Sequence, residues 1–128
     1  MKLVETPEGG VAAWRLSKDT GGWNRANNLI DRVLFVGGDE VNQISRDEFV
    51  QLTEHDRGYY LRGEGAVFAL YETVRAIEET LGRERRYPTV EEQALIRGIR
   101  RRTFVMFEEQ LQQAGDPGAD PTIATATS

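Results

Sequence analysis

Val67, Leu70, Val74, Ile77 and Leu81 recur at spacings of three and four residues, and that period places them on one stripe of an α-helix beginning near Ala66. Tyr71 stands beside the stripe, and Gly82 follows it where helices commonly stop. Beyond the turn Arg83, Glu84, Arg85, Arg86, Tyr87, Pro88, the run Thr89, Val90, Glu91, Glu92 has the form of a capping box. In such a box the hydroxyl and the glutamate satisfy each other's orphan backbone donors. The helix it opens is expected to run to Gln113, before Gly115 and Pro117, and to be about 36 Å long. Two helices joined by so short a turn form an antiparallel αα-hairpin whose facing stripes pack together.

The residues ahead of the hairpin read differently, as short strands punctuated by turns. Leu3 and Val4, then Val11 to Trp14, flank Pro7, Glu8, Gly9 and Gly10, which has the composition of a hairpin connection. Val33 to Val36 and Val41 to Ile44 flank Gly37, Gly38, Asp39 and Glu40 as a second strand pair. Ser17 to Asn28 reads as a loop closing on Trp23, with a short helix over Arg25 to Arg32 as an alternative. Ser45, Arg46, Asp47 and Glu48 form another capping box, from which a helix of about two turns, near residues 46–53, should pass through Phe49 and Leu52. The expected fold class is therefore α+β: a small antiparallel sheet from the N-terminal half packed against a C-terminal antiparallel αα-hairpin. One domain spans 1–114, strand-rich over 1–61 and helical over 62–114. Residues 115–128, with Ile123 the one large apolar side chain, are expected to form a flexible C-terminal tail.

Composition removes several function classes. The chain has 128 residues and no cysteine, which excludes disulfides, thiolate catalysis and cysteine-ligated metals. His55 is the sole histidine, so no multi-histidine metal site can form, and no cofactor is expected. The N-terminus carries Glu5 and Pro7 in place of a run of apolar residues, and no segment approaches the roughly 20 apolar residues that span a bilayer. A soluble protein in the cytoplasm, without a membrane partner, is the expectation.

Charge is distributed unevenly. The net charge is -5, yet residues 82–103 hold seven arginines (Arg83, Arg85, Arg86, Arg97, Arg100, Arg101 and Arg102) against three glutamates, a local +4 that leaves -9 for the remainder. On the second hairpin helix Leu95, Ile96, Ile99, Thr103, Met106 and Phe107 share one face, with Arg97, Arg101 and Glu108 opposite. Phe104 and Leu111 fall outside that stripe, beside the arginines; either the β half covers them or another molecule does. Aromatic and arginine side chains together are enriched at interface hot spots. Arginine pairs bidentately with carboxylate or phosphate, so the cluster suits an acidic protein surface, a second copy of this chain or a nucleic-acid backbone.

Other chemistry is thinner. Tyr59 to Phe68 reads as a strand, glycines and a helix start, but lacks the third glycine of a dinucleotide fingerprint. Asp39, Glu40, Asp47, Glu48, His55 and Asp56 are the available acid–base groups, and turn or cap roles account for them. Catalysis could rest on His55, Asp56 and another carboxylate around one pocket with Arg62. The sequence accordingly favours a non-enzymatic protein–protein interaction protein, an adaptor, inhibitor or assembly factor of the virus-encoded or bacterial accessory kind. Its expected contact residues are Arg83, Arg85, Arg86, Arg97, Arg100, Arg101 and Phe104; the alternative is a nucleic-acid-binding regulator using the same arginines on phosphates.

Overall fold

The computed structural model describes residues 2–5, 11–26 and 45–125. The expected strand pair at 33–36 and 41–44 lies outside them, as does most of the alternative helix at 25–32. Among the described residues three strands, β1 (Lys2–Glu5), β2 (Val11–Leu16) and β3 (Trp23–Arg25), form one antiparallel sheet in the order β1-β2-β3. The helices described are α1 (Arg46–Tyr60), α2 (Ala66–Glu84), α3 (Val90–Gln113) and the single turn α4 (Thr122–Thr125). The α+β class and the αα-hairpin of α2 and α3 are as the sequence implies.

The sheet is a meander. Lys2 faces Trp14 across β1 and β2, and Leu16 faces Trp23 across β2 and β3. The β2–β3 connection, expected to be part of a long loop, is a tight turn in which Gly21 N donates to Ser17 O and Ser17 N to Gly22 O, both at 2.9 Å. Gly21 has φ 75°, and a Cβ there would come 2.6 Å from the Phe107 ring and 2.7 Å from Leu61. Only glycine meets both demands. A three-residue strand among Gly and Asn offers too few positions for a period of two to show, which is why β3 read as loop.

α1 is twice the expected length. Ser45 caps it as foreseen, its hydroxyl accepting from Glu48 N at 3.1 Å, but the helix continues beyond residue 53 to Tyr60, taking in Tyr59 and Tyr60, which read as the start of a strand. The strand-rich segment therefore does not extend to 61. Its buried stripe is Val50, Glu54, Arg57 and Leu61, spaced four, three and four, with two charged residues where apolar ones are customary.

Those two charges organise the core. Arg57 and Glu54 are fully buried and bonded at 2.9 Å, and Arg57 also donates to Glu108 of α3 at 2.6 Å and, through Nε, to Gly21 O at 3.0 Å. Glu108 accepts from Trp23 Nε1 at 3.0 Å and from Asp120 N at 3.0 Å, and Glu54 accepts from the Tyr71 hydroxyl at 2.7 Å. The Phe107, Trp23 and Phe104 rings surround the guanidinium at 4.3, 5.5 and 5.6 Å. Glu108 was expected on the outer face of its helix; it is buried because α3 is covered on two sides, by α2 and by α1 with the sheet.

Apolar packing fills the space around this network. Leu61, Val67, Tyr71 and Phe107 form one cluster; Trp14 and Trp23, with Phe49 and Leu111 against them, form another. Trp23 stacks on Phe49 at 5.8 Å.

The segment expected to be a flexible tail lies against the sheet at Asp116 and Gly118 and then packs its last turn, α4, on α1 and α3. Gly115 (φ 88°) ends α3 with the two hydrogen bonds of a Schellman turn, Asp116 N to Leu111 O and Gly115 N to Gln112 O. Asp116 then accepts from Trp23 N at 2.9 Å, and Lys2 Nζ donates to Gly118 O at 2.5 Å. Gly118 presses so closely on Trp14 and Trp23 that a Cβ would meet them within 2.8 Å. Backbone and carboxylate contacts hold this segment, and a composition poor in apolar residues does not announce them.

Removing Arg57 strands two buried carboxylates. Arg57→Ala is expected to lower unfolding free energy in urea by about 3–5 kcal/mol; a loss within the range of a surface substitution would show that Glu54 and Glu108 find other partners.

Candidate interaction site

The turn between α2 and α3 is built from the arginines. α2 runs past Gly82 to Glu84, and Arg85 takes the left-handed conformation, φ 52° and ψ 49°. Its amide donates to Gly82 O at 3.3 Å and that of Arg86 to Leu81 O at 3.2 Å, the Schellman pattern with arginine in glycine's usual place. The sequence put the stop three residues early because Gly82 is a better left-handed residue than Arg85. The capping box is complete: Glu92 N donates to Thr89 Oγ1 at 3.1 Å and Thr89 N to Glu92 Oε1 at 3.0 Å. Arg86 donates to both Glu92 oxygens, at 2.7 and 3.1 Å, and to Glu84 at 2.7 Å. The Arg86 hydrogen bonds, followed by that of the Thr89 amide, pull the Glu92 carboxyl down to about 2.

The seven expected contact residues separate into groups. Phe104 is 0% exposed and sets its ring edge-on to Phe49 at 6.3 Å, so it belongs to the core and not to a contact surface. Arg97 and Arg101 both pair with Asp47 of α1, the latter at 3.3 Å, and Arg100 pairs with Glu78 of α2 at 3.0 Å. Charge counted along the chain could not reveal these pairings, because the carboxylates lie 22 to 54 residues away. Arg86 is engaged within the turn. Arg83 donates to Thr80 Oγ1 at 3.2 Å, and neither Arg83 nor Arg85 has a carboxylate within 4 Å among the described residues. Beside them Tyr87 is 93% and Val90 78% exposed. Tyr87, between Arg86 and Pro88 in the sequence, is not among the expected contact residues.

A second feature is a cleft of about 340 Å³ between α1, α2 and α3. Glu54, Tyr71 and Thr103 are its most buried lining residues, and His55, Tyr59, Arg62 and Glu79 are exposed around it. Burial, opposed by Arg57, pushes the Glu54 carboxyl up from its ordinary value. His55 and Arg62 thus share a cleft with a buried carboxylate, but Asp56, which the catalytic alternative also required there, lines a different recess beside Lys18 and Tyr60, although its carboxylate lies 3.4 Å from His55 Nδ1. Arg62 turns toward the carbonyls of Gly58, Tyr59 and Leu61 at the end of α1. Among the described residues no three His, Asp or Glu side chains gather as metal ligands, and no helix is long and apolar enough to cross a membrane.

No family model, no curated protein and no solved structure matches the chain.

The Glu92 carboxyl titrates below the ordinary glutamate value of 4.5 in the folded protein, so the stability it contributes is present above pH 4.5 and is lost as pH falls toward 2. Amide exchange in the Arg85–Glu92 turn should accelerate over that window, and Glu92→Gln should abolish the acceleration. Arg85→Gly should raise stability by about 0.5–1 kcal/mol, the left-handed penalty net of glycine's entropy, with an upward shift in Tm as the readout.

Proposed function

We propose that the protein is a non-enzymatic interaction module, an adaptor, inhibitor or assembly factor, that docks the tip of its helical hairpin onto an acidic surface of a partner protein. The observation that carries this reading is Tyr87, 93% exposed on the turn between helices, two and four residues after Arg85 and Arg83, whose guanidinium groups no described carboxylate neutralises. Tyrosine and arginine are the side chains most often found to dominate binding energy. The capping box, the Schellman bonds and the Arg86–Glu92 pair hold the turn in place before any partner arrives, which reduces the ordering cost of association. The backbone strain at Arg85 supports the same reading, since glycine would relieve it and remove a cation from the tip. The acidic remainder of the chain favours approach of an acidic partner at this end first.

Fluorescence anisotropy of the full chain against a labelled library of acidic peptides, each carrying apolar residues, tests this. Binding should weaken about tenfold or more for Arg83→Ala and for Tyr87→Ala. It should not change for Arg102→Ala, an exposed arginine about 18 Å further along α3 than Val90. Peptide binding indifferent to Arg83 and Tyr87 overturns the reading. A mobility shift of duplex DNA whose affinity falls steeply with salt would replace it with the nucleic-acid alternative.

A further inference from the structure

We infer that the protein pairs with a second copy of itself through the outer face of α1, the two helices lying antiparallel about a two-fold axis at His55. This surface is separate from the hairpin tip.

α1 carries charge where a helix is customarily apolar, and apolar groups where it is customarily charged. Its buried stripe holds Glu54 and Arg57. On the opposite side Glu48, Leu52, His55 and Tyr59 follow at spacings of four, three and four, the period of a helix–helix seam, and fall within about 60° of one another around the helix. All four are exposed, Leu52 by 54% and Tyr59 by 66%. Arg62, just past the end of the helix, folds back on it, Nη1 donating to the carbonyls of Gly58, Tyr59 and Leu61. It borders the same cleft as His55 and Tyr59, which places it on this side, at the C-terminal end of the stripe. Large apolar side chains aligned on one exposed face mark a contact with another molecule.

The stripe is complementary to itself. The midpoint of positions 48 and 62 is 55, and that of 52 and 59 is 55.5. Turned end for end, Glu48 of one copy meets Arg62 of the other and Leu52 meets Tyr59, each contact made twice, with the two His55 side chains at the axis. A parallel arrangement would set Glu48 on Glu48 and Arg62 on Arg62. Among the described residues neither Glu48 nor Arg62 has an ionic partner, so each is open to the other across the contact. Two copies of net charge -5 repel at long range; an opposite-charge pair at each end offsets that repulsion on contact and fixes the antiparallel direction. A two-fold contact of this kind closes at two copies. One helix face about 22 Å long lies at the low end of interface sizes, so the dimer is expected to have a Kd on the order of 10–100 μM.

Sedimentation of the full chain from about 1 μM to about 1 mM tests the pairing, and the mass should rise from one chain to two across that range. Leu52→Ala combined with Tyr59→Ala alters neither the caps nor the buried network of α1; it should weaken the dimer about tenfold or more while circular dichroism remains that of the parent. Glu48→Arg and Arg62→Glu should each weaken self-pairing, and the two variants mixed should pair with each other, because both end contacts are then restored. Arg62 also caps α1, so a second probe leaves it in place. The chain has no cysteine, and His55→Cys should form an intermolecular disulfide on mild oxidation, since the axis brings the two positions within bridging distance. Glu72→Cys, on an exposed position of α2, should not. The inference is overturned by a chain still monomeric at about 1 mM, by a dimer indifferent to the Leu52 and Tyr59 substitutions, or by His55→Cys cross-linking no faster than Glu72→Cys.

Discussion

The Arg57 guanidinium is the point through which every layer of the fold is related to every other. It reaches Glu54 on its own helix, Glu108 on α3 and the carbonyl of Gly21 in the β2–β3 turn. A buried guanidinium without acceptors is severely destabilising, so the finished fold needs all three partners in place. Their arrival sets the rotation of α1, the position of α3 along its axis and the seat of the sheet. Burial of Leu, Val and Phe alone is non-directional and would tolerate small slips between helices; three oriented hydrogen bonds to one planar group do not.

The same interaction explains what could and could not be read in the sequence. Helix caps and the α2 stripe depend on residues three or four apart, and Thr89 with Glu92, Ser45 with Glu48 and Val67 through Leu81 were legible for that reason. Glu54 and Arg57 were not, because a charged pair in the run Thr53 to Arg57 resembles a solvated loop until Glu108, 51 residues on, is known to lie against it. Tyr59 and Tyr60 suggested a strand through their β propensity, and the tertiary pull of the 50, 54, 57, 61 stripe made them helix. That stripe is present in the sequence for a reader willing to place charges on a buried face.

The arginine cluster shows the corresponding limit of charge counting. Seven cations over 22 residues define a sign but not an availability, and Asp47, Glu78, Glu84 and Glu92 consume Arg97, Arg101, Arg100 and Arg86 locally. The set of arginines without a carboxylate partner is smaller and better defined. Among the described residues Arg83 and Arg85 stand without a carboxylate in the turn that exposes Tyr87, and Arg62 and Arg75 cap the end of α1. In both places an arginine holds backbone carbonyls or a strained turn while keeping donors to spare, a division of labour that a point-charged lysine cannot perform.

The bond from Lys2 to Gly118 spans 116 residues, and the neighbouring contacts of Trp23 span 85 and 93. A ribosome releases the sheet long before it releases the segment that covers it. Until residues 108–120 emerge, Trp14 and Trp23 have no lid, and Arg57 has one carboxylate in place of two. The helical hairpin can assemble from near neighbours, whereas the sheet must wait for the far end of the chain. The two tryptophans are therefore the surfaces a nascent chain has to keep from other chains during synthesis, and a chain stopped just short of Asp116 would carry that exposure permanently.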